Sequence, residues 1–153
     1  MASATIRVQP GPFDVGTELL LLTSGRCDTG GVGCFVGLVR DEGGALDALT
    51  LEHYPGMTER ALQEIADDAV ARFTLLGCTV VHRYGRLAPG EAIVLVLATS
   101  AHRQPALDAT GFLIDWLKTR APFWKQEHRA GGATAWVDAR AEDDTAAGRW
   151  SAS

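Results

Sequence analysis

The chain is poor in the residues that build disulfide frameworks and metal centres. Of its 153 residues only three are cysteines, Cys27, Cys34 and Cys78, and no two of them form a CxxC pair. The four histidines show neither an HxxxH spacing nor an HExxH helix, so no metal ligand set is indicated. An odd number of widely spaced cysteines is typical of a reducing cytoplasm. We therefore predict a cytoplasmic protein without disulfide, metal or resident cofactor.

Long apolar runs and an excess of positive charge are also missing. The leucine run at residues 19–22, which follows Glu18, is far shorter than the roughly 20 residues that cross a bilayer. The first residues carry neither a basic nor an apolar segment, which argues against a secretory signal. A net charge of −5 disfavours non-specific binding to nucleic acid. We expect one globular domain over residues 1–153, with a short C-terminal segment from about residue 139 to 153.

Hydrophobic periodicity predicts an α+β fold. Alternation of apolar residues predicts strands over residues 5–8, 31–39, 46–54, 78–84, 92–99, 123–128 and 133–137. A helical period or helix-capping residues predict helices over residues 14–22, 57–73, 103–120 and 141–150. The strands at 31–39 and 46–54 flank the turn at residues 41–44, so we expect them to form a hairpin. Helices laid over a mixed sheet give the α+β character.

Several short motifs that resemble catalytic sequences are interpreted as structural. The glycine-rich residues 30–33 resemble a phosphate-binding loop, but no Gly-Lys-Ser/Thr follows and no helix begins there. Cys34 alternates with apolar residues on a predicted strand and has no close cation, so we expect a buried structural thiol. Ser100 lies at a strand end without the features of a nucleophile elbow. The histidines are expected to be surface or hydrogen-bonded residues.

The clearest functional signal is the stretch Lys118-Thr119-Arg120-Ala121-Pro122-Phe123-Trp124-Lys125. It concentrates three cations and two large aromatic residues in an otherwise acidic protein. Pro122 ends the preceding helix, because the residue before a proline is disfavoured in the α region. A half-buried cationic cluster suits a small anionic substrate. The alternative is a helix end whose cations are favoured by the macrodipole.

Other cations also stand where predicted elements end. Arg40 closes a predicted strand, and His102 and Arg103 begin the long helix, whose free N–H groups could face the same anion. A helix of about fifteen residues is roughly 22 Å long, so His102 and Arg103 cannot meet Lys118 within one subunit. Two arrangements would fit. Separate patches could bind separate ligands, or a symmetric dimer could place Arg103 of one subunit beside Lys118 of the other. We favour the dimer.

Five stretches in this order resemble one known family, the large catalytic subunit of molybdopterin synthase, from about residue 5 to Trp150. They are Gly37-Leu38-Val39-Arg40, Leu51-Glu52-His53-Tyr54-Pro55-Gly56-Met57, His82-Arg83-Tyr84-Gly85, Ser100-Ala101-His102-Arg103 and Lys118 to Lys125. The resemblance implies an α/β hammerhead-like mixed sheet with two main helices and a small additional β subdomain.

The same resemblance implies a function in molybdenum cofactor biosynthesis. The family acts as a homodimer within a heterotetramer, and each large subunit binds a small ubiquitin-like sulfur-carrier subunit. The carrier's C-terminal Gly-Gly thiocarboxylate supplies sulfur to cyclic pyranopterin monophosphate, which forms the molybdopterin dithiolene. Because the sulfur arrives on the partner, no cysteine of this chain is required.

The resemblance also assigns site residues by position. Lys118 is similar to the catalytic lysine and Lys125 to a second functional lysine. The implied substrate-binding residues are Leu38, Val39, Arg40, His102, Arg103, Gln126 and Glu127. The chain departs from some relatives at Leu38 and Gln126, where those have Lys and Arg, so the backbone is expected to contribute there.

We hypothesise that nearby like charges and partial burial lower the pKa of Lys118. Its neutral fraction would then act as general base or attack the carrier's acyl carbon. Two other interpretations stay open. A non-catalytic docking module for a ubiquitin-like carrier would show no lysine-dependent chemistry. A phosphoesterase would need a metal or paired carboxylates, which the sequence does not indicate.

Overall fold

The computed structural model describes residues 2–137 and 141–151. Residues 139, 140, 152 and 153 of the predicted C-terminal segment lie outside this range. The elements follow the order β1 Ala4–Gln9, α1 Val15–Thr23, β2 Gly31–Leu38, a 3-10 turn Glu42–Gly44, β3 Leu46–His53, α2 Met57–Phe73, β4 Gly77–Arg83, β5 Gly85–Leu87, β6 Ala92–Ser100, α3 Arg103–Arg120, β7 Phe123–Arg129, β8 Thr134–Val137 and α4 Ala141–Gly148.

The first sheet has the strand order β1-β4-β6-β2 and carries helices on both faces. The β1–β4 pair is parallel and the other two pairs are antiparallel, so the sheet is mixed, as predicted. Alternate residues of the central strands face opposite sides, because side chains along a strand have a period of two. Val80 and Val96 pack under α2 and α3, whereas Val81 and Leu95 pack against α1. Burial on both faces explains why β6 is apolar along most of its length and why every residue of β4 is buried.

The second sheet is smaller, antiparallel throughout and ordered β5-β3-β7-β8. It is the small additional β subdomain that the family resemblance implied. The predicted hairpin between residues 31–39 and 46–54 is wrong, because β2 pairs with β6 and β3 pairs with β5 and β7. Positive φ angles at Gly43 (84°) and Gly44 (73°) turn the chain from one sheet into the other. The short strand β5 was not predicted from hydrophobic periodicity.

Several predicted boundaries are confirmed. Asp14 caps α1, and its carboxylate accepts a hydrogen bond of 2.9 Å from the amide of Thr17. Helix α3 ends at Arg120, just before Pro122. Strands β7 and β8 pair antiparallel across the turn that contains Gly131 and Gly132.

The glycine-rich residues before and within β2 permit close packing of α3. A Cβ atom at Gly33 would lie 2.4 Å from the carbonyl oxygen of Ala106, and one at Gly30 would lie 1.9 Å from that of Ala101.

The prediction for Cys34 is wrong, because β2 is an edge strand and this residue is exposed. The buried thiol is Cys78, on the central strand β4.

The C-terminal residues 145–151 pack back onto α2 and α3. The indole N–H of Trp150 donates a 2.6 Å hydrogen bond to the Asp115 carboxylate, and Arg72 donates a 2.9 Å bond to the Trp150 carbonyl. Within the described ranges no helix is long and apolar enough to span a bilayer.

Candidate functional site

The principal cavity lies where the first sheet meets the second. Its volume is ≈ 580 Å³, within the usual range for small-molecule sites. The end of β2, the start of β6, the last turns of α3 and the first residues of β7 supply most of its wall. The lining residues are Phe35, Val36, Gly37, Leu38, Val39, Arg40, His82, Gly90, Ile93, Val94, Ile114, Leu117, Lys118, Ala121, Phe123 and Lys125.

Lys118 and Lys125 both line this cavity. They are also the only two lysines of the 153-residue chain; its other twelve basic residues, histidine aside, are arginines. Lys118 lies in the last turn of α3 and Lys125 is the third residue of β7. The spacing of seven residues therefore spans a sharp corner rather than a continuous helix face.

This corner has a defined set of backbone contacts. Ala121 and Pro122 separate helix from strand, and the amide of Phe123 donates a 2.9 Å bond to the carbonyl of Ala121. The hydroxyl of Thr58, which is fully buried, donates a 3.1 Å bond to the carbonyl of Pro122. The same hydroxyl accepts a 3.0 Å bond from the amide of Tyr54. The start of α2 thus supports the turn that joins the two lysines.

The end of β2 brings three further predicted site residues to the same cavity. Val39 is buried, and its backbone exchanges hydrogen bonds of 2.9 and 2.8 Å with the carbonyl of Glu91 and the amide of Gly90. Leu38 and Arg40 are exposed on either side of it. Five predicted residues, Leu38, Val39, Arg40, Lys118 and Lys125, therefore share one cavity.

The remaining predicted residues do not line this cavity in the single chain. His102 and Arg103 lie exposed at the opposite end of α3, whose 18 residues span roughly 27 Å. Gln126 follows Lys125 on β7, so its side chain points to the opposite face of the sheet. The Glu127 carboxylate accepts a 2.8 Å bond from Arg129.

Sequence reasoning missed the cavity's buried histidine, His82. It is 9% exposed at the end of β4, and its ring is stacked on Phe123 with centroids 3.7 Å apart. The pKa of His82 is lowered to about 4, mainly by burial and to a smaller extent by the nearby cations Lys125 and Lys118. The signal that could have revealed it is a histidine that directly follows two valines on a predicted strand.

The electrostatic character of the wall follows from its composition. Arg40, Lys118 and Lys125 provide positive charge, and no carboxylate is among the lining residues. The rest of the wall is apolar or glycine, apart from His82. The cavity can therefore hold an anionic group at its cations and a flat heterocycle against its apolar residues. No cluster of three or more potential metal ligands occurs in the described part of the chain.

Comparison with known proteins agrees on one family. The family model described as "MoaE protein" matches residues 8–120. The molybdopterin synthase catalytic subunit of Mesorhizobium japonicum is 56% identical over 150 residues, which cover 97% of this chain and 94% of the relative.

Solved structures give the same result. The molybdopterin biosynthesis MoaE protein from Burkholderia ambifaria has a TM-score of 0.84 and 45% identity, and covers 98% of this chain and 99% of its own. A complex of subunits 1 and 2 of the molybdopterin-converting factor from Helicobacter pylori has a TM-score of 0.73, covering 88% of this chain and 91% of its own. At 20% identity, the second likeness shows the fold alone.

Proposed function

Since this chain belongs to the MoaE family, we propose that it is the catalytic subunit of a molybdopterin synthase, a sulfur transferase. It transfers sulfur from the thiocarboxylated C-terminus of a small carrier subunit to cyclic pyranopterin monophosphate and forms the molybdopterin dithiolene. The observation that carries the proposal is the convergence of Lys118, Lys125 and Arg40 on one cavity with a largely apolar wall.

The cations of the cavity match the charges of the two reactants. The cyclic phosphate carries negative charge, and a guanidinium such as that of Arg40 binds phosphate oxygens well. The thiocarboxylate of the carrier is a second anion, which the ammonium groups of Lys118 and Lys125 can hold beside the substrate. Without the cations of the cavity the two anions would repel each other, so the cations are needed to bring the reactants together.

The chemistry needs a base and a charge-stabilising group. The carrier sulfur forms a bond to a carbon of the pterin side chain and displaces an oxygen group. Water then attacks the carrier's acyl carbon, the acyl–sulfur bond breaks, and the carrier leaves as a carboxylate. The same steps with a second thiocarboxylated carrier supply the other sulfur of the dithiolene. Neutral Lys118 accepts the proton of this water, and the Lys125 ammonium stabilises the developing oxyanion. Lys118 is exposed in the single chain, so the partial burial expected from the sequence is wrong there and would come from the bound carrier tail.

The substrate contacts of His102 and Arg103 require a second subunit. Their end of α3 is roughly 22 Å from Lys118 within one chain. A symmetric dimer places Arg103 of one protomer beside Lys118 of its partner and adds a cation to each cavity. With one carrier bound per large subunit, the assembly is a heterotetramer.

The direct test combines the purified chain, a thiocarboxylated carrier and cyclic pyranopterin monophosphate, and measures dithiolene product. Product that depends on the chain supports the synthase. Stable carrier binding without product would instead support a docking module.

Mass spectrometry of the trapped complex adds a second result. An isopeptide between the carrier and Lys118 would mean that the lysine, rather than water, attacks the acyl carbon.

A further inference from the structure

Among the described residues that line the cavity, only one side chain can accept a hydrogen bond. Arg40, Lys118 and Lys125 are donors only when charged, and apart from His82 the other lining residues are aliphatic, phenylalanine or glycine. A ligand that brings N–H groups into this cavity loses their hydration. Unless backbone carbonyls receive them, those groups need the imidazole of His82, because an unpaired buried donor costs about 1–3 kcal/mol.

The hydrogen bonding of His82 fixes which ring nitrogen is available. Its Nδ1 atom lies 2.8 Å from the backbone carbonyl oxygen of Arg83. A carbonyl oxygen can only accept, so Nδ1 carries the proton and donates it. In the neutral ring the lone pair is then on Nε2.

The surroundings keep the ring both neutral and immobile. Phe123 covers one face of the imidazole, with an angle of 18° between the two planes. Burial lowers the pKa of His82 to about 4, and the charges of Lys125, Lys118 and His53 act in the same direction. A proton on Nε2 would place a further positive charge beside two lysines. The acceptor therefore persists across the physiological pH range.

We propose that Nε2 of His82 accepts a hydrogen bond from an N–H group of the pterin ring and so positions the substrate in the cavity. This inference rests on the proposed function and adds a positioning residue to it. A reduced pterin presents several ring and amino N–H donors, whereas the phosphate at its other end presents only acceptors. The cations of the cavity recognise the phosphate, and His82 recognises the heterocycle. These two contacts, one at each end of the substrate, fix its orientation in the cavity.

Two substitutions separate this role from a purely structural one. The amide nitrogen of asparagine reaches the position of Nδ1, so His82→Asn keeps a donor for the Arg83 carbonyl and loses the acceptor at Nε2. The amide of glutamine reaches the position of Nε2, so His82→Gln keeps the acceptor and loses that donor. We expect His82→Asn to raise KM for cyclic pyranopterin monophosphate by roughly 3- to 10-fold, the value of one hydrogen bond. His82→Gln should stay within about 3-fold of the wild type, by the same estimate.

The opposite order, with His82→Gln impaired and His82→Asn normal, would overturn the proposal and assign His82 to fold maintenance. Equal impairment of both variants, or of neither, would also overturn it. Inorganic phosphate serves as a second probe, and its affinity should be unchanged in both variants. Loss of phosphate affinity would show that the cation site has been disturbed, which contradicts the proposed division.

A measurement on the wild-type protein covers the case in which a variant does not fold. In protein labelled with ¹⁵N-histidine, addition of the substrate should move the His82 Nε2 resonance towards the hydrogen-bonded position, while Nδ1 stays protonated. An unmoved resonance at saturating substrate overturns the inference. If the wild-type chain forms no dithiolene with the thiocarboxylated carrier, the proposed function fails. If it does and the His82 results are negative, only this inference fails.

Discussion

The imidazole of His82 lies nearly flat on the ring of Phe123, with the ring centroids 3.7 Å apart and the planes inclined by 18°. His82 belongs to the end of β4 in the first sheet and Phe123 begins β7 in the second. The stack therefore joins the two sheets at the cavity wall. Lys125 follows Phe123 on the same face of β7, so this contact also positions the second lysine relative to the first sheet.

The buried histidine makes stability dependent on pH. The folded protein lowers the pKa of His82 from 6.5 to about 4, mainly through burial. Between these values the unfolded chain binds a proton that the folded chain does not, so stability rises with pH across this interval. The contribution of neutral His82 to the free energy of unfolding is complete above pH 6.5 and is lost as the pH falls towards about 4. Its upper limit is about 3 kcal/mol.

This prediction is checked by urea denaturation at several pH values, in wild type and in His82→Gln. Carboxylates titrate over the same interval, so the difference between the two proteins is the informative quantity. The free energy of unfolding of His82→Gln should rise relative to that of the wild type as the pH falls from 6.5 towards 4, the interval between the two pKa values of His82. A constant difference would contradict a buried, neutral His82.

Removal of Lys118 should abolish catalysis without preventing assembly. We expect Lys118→Ala to lower the rate of dithiolene formation by at least about 100-fold, the usual contribution of a general base. Carrier binding, measured by calorimetry, should survive because the rest of the cavity stays intact. Arg120 is the matched control. It lies two residues further along, but its guanidinium faces Trp116 at 5.3 Å and does not line the cavity.

Arg120→Ala should therefore retain activity. The two-lysine composition offers a second check, because an amine-selective reagent can modify only Lys118, Lys125 and the N-terminus. Protection of both lysines by bound carrier would support a common site. Normal turnover of Lys118→Ala would refute the role of Lys118 in the reaction.

Local features of the fold could be predicted from the sequence, and long-range features could not. The capping side chain of Asp14 and the helix-ending Pro122 act on neighbouring residues, so both boundaries are confirmed. Strand pairing depends on distant partners, and for that reason β2 and β3 were wrongly joined in one hairpin. The three-residue strand β5 is too short to show a period.

The candidate site divides in the same way. Lys118, Lys125 and Arg40 stand out because exposed cations near element ends are visible in sequence. His82 does not, because its environment is created by residues distant in sequence, including Phe123 of β7 and Lys118 of α3. In the proposed dimer, the positions of His102 and Arg103 relative to Lys118 depend on a second subunit, which a single sequence cannot orient.

A mixed-dimer experiment tests the proposed contribution of Arg103 across subunits. Arg103→Ala should raise KM for the cyclic pterin, since one anion contact is lost. If the site combines Lys118 of one protomer with Arg103 of the other, mixing the Lys118→Ala and Arg103→Ala proteins creates intact sites. Random exchange of subunits yields intact sites at about a quarter of the total. Absence of any recovery after verified exchange would exclude a shared site.

Close packing at Gly33 predicts a strong size limit on β2. An added Cβ would lie 2.2 Å from Thr110 Oγ1 and 2.4 Å from the Ala106 carbonyl oxygen. The carbonyl belongs to the backbone of α3, so the helix itself must move. We expect Gly33→Ala to lower the free energy of unfolding by about 1–3 kcal/mol or more. Chemical denaturation measures the change.

Gly111→Ala provides the control within α3. Its Cβ would lie 3.3 Å from the end of the flexible Arg149 side chain, and alanine favours a helix over glycine by about 1 kcal/mol. This variant should be neutral or more stable. Similar destabilisation of both variants would mean that α3 resists any added methyl group, and that contact at Gly33 is not the cause.

The cysteines should be dispensable for catalysis and unequal in reactivity. Burial raises the pKa of Cys78 to about 12, so the thiolate that reacts with disulfide reagents hardly forms. Cys27 and Cys34 are exposed, although partial burial also raises the pKa of Cys34. We expect Ellman's reagent to modify Cys27 first, then Cys34, and Cys78 only after unfolding.

Replacement of Cys27 and Cys34 by serine should leave dithiolene formation unchanged, because in the proposed reaction the sulfur is carried by the small subunit. A large loss of turnover with retained folding would instead place a thiol of this chain in the transfer pathway.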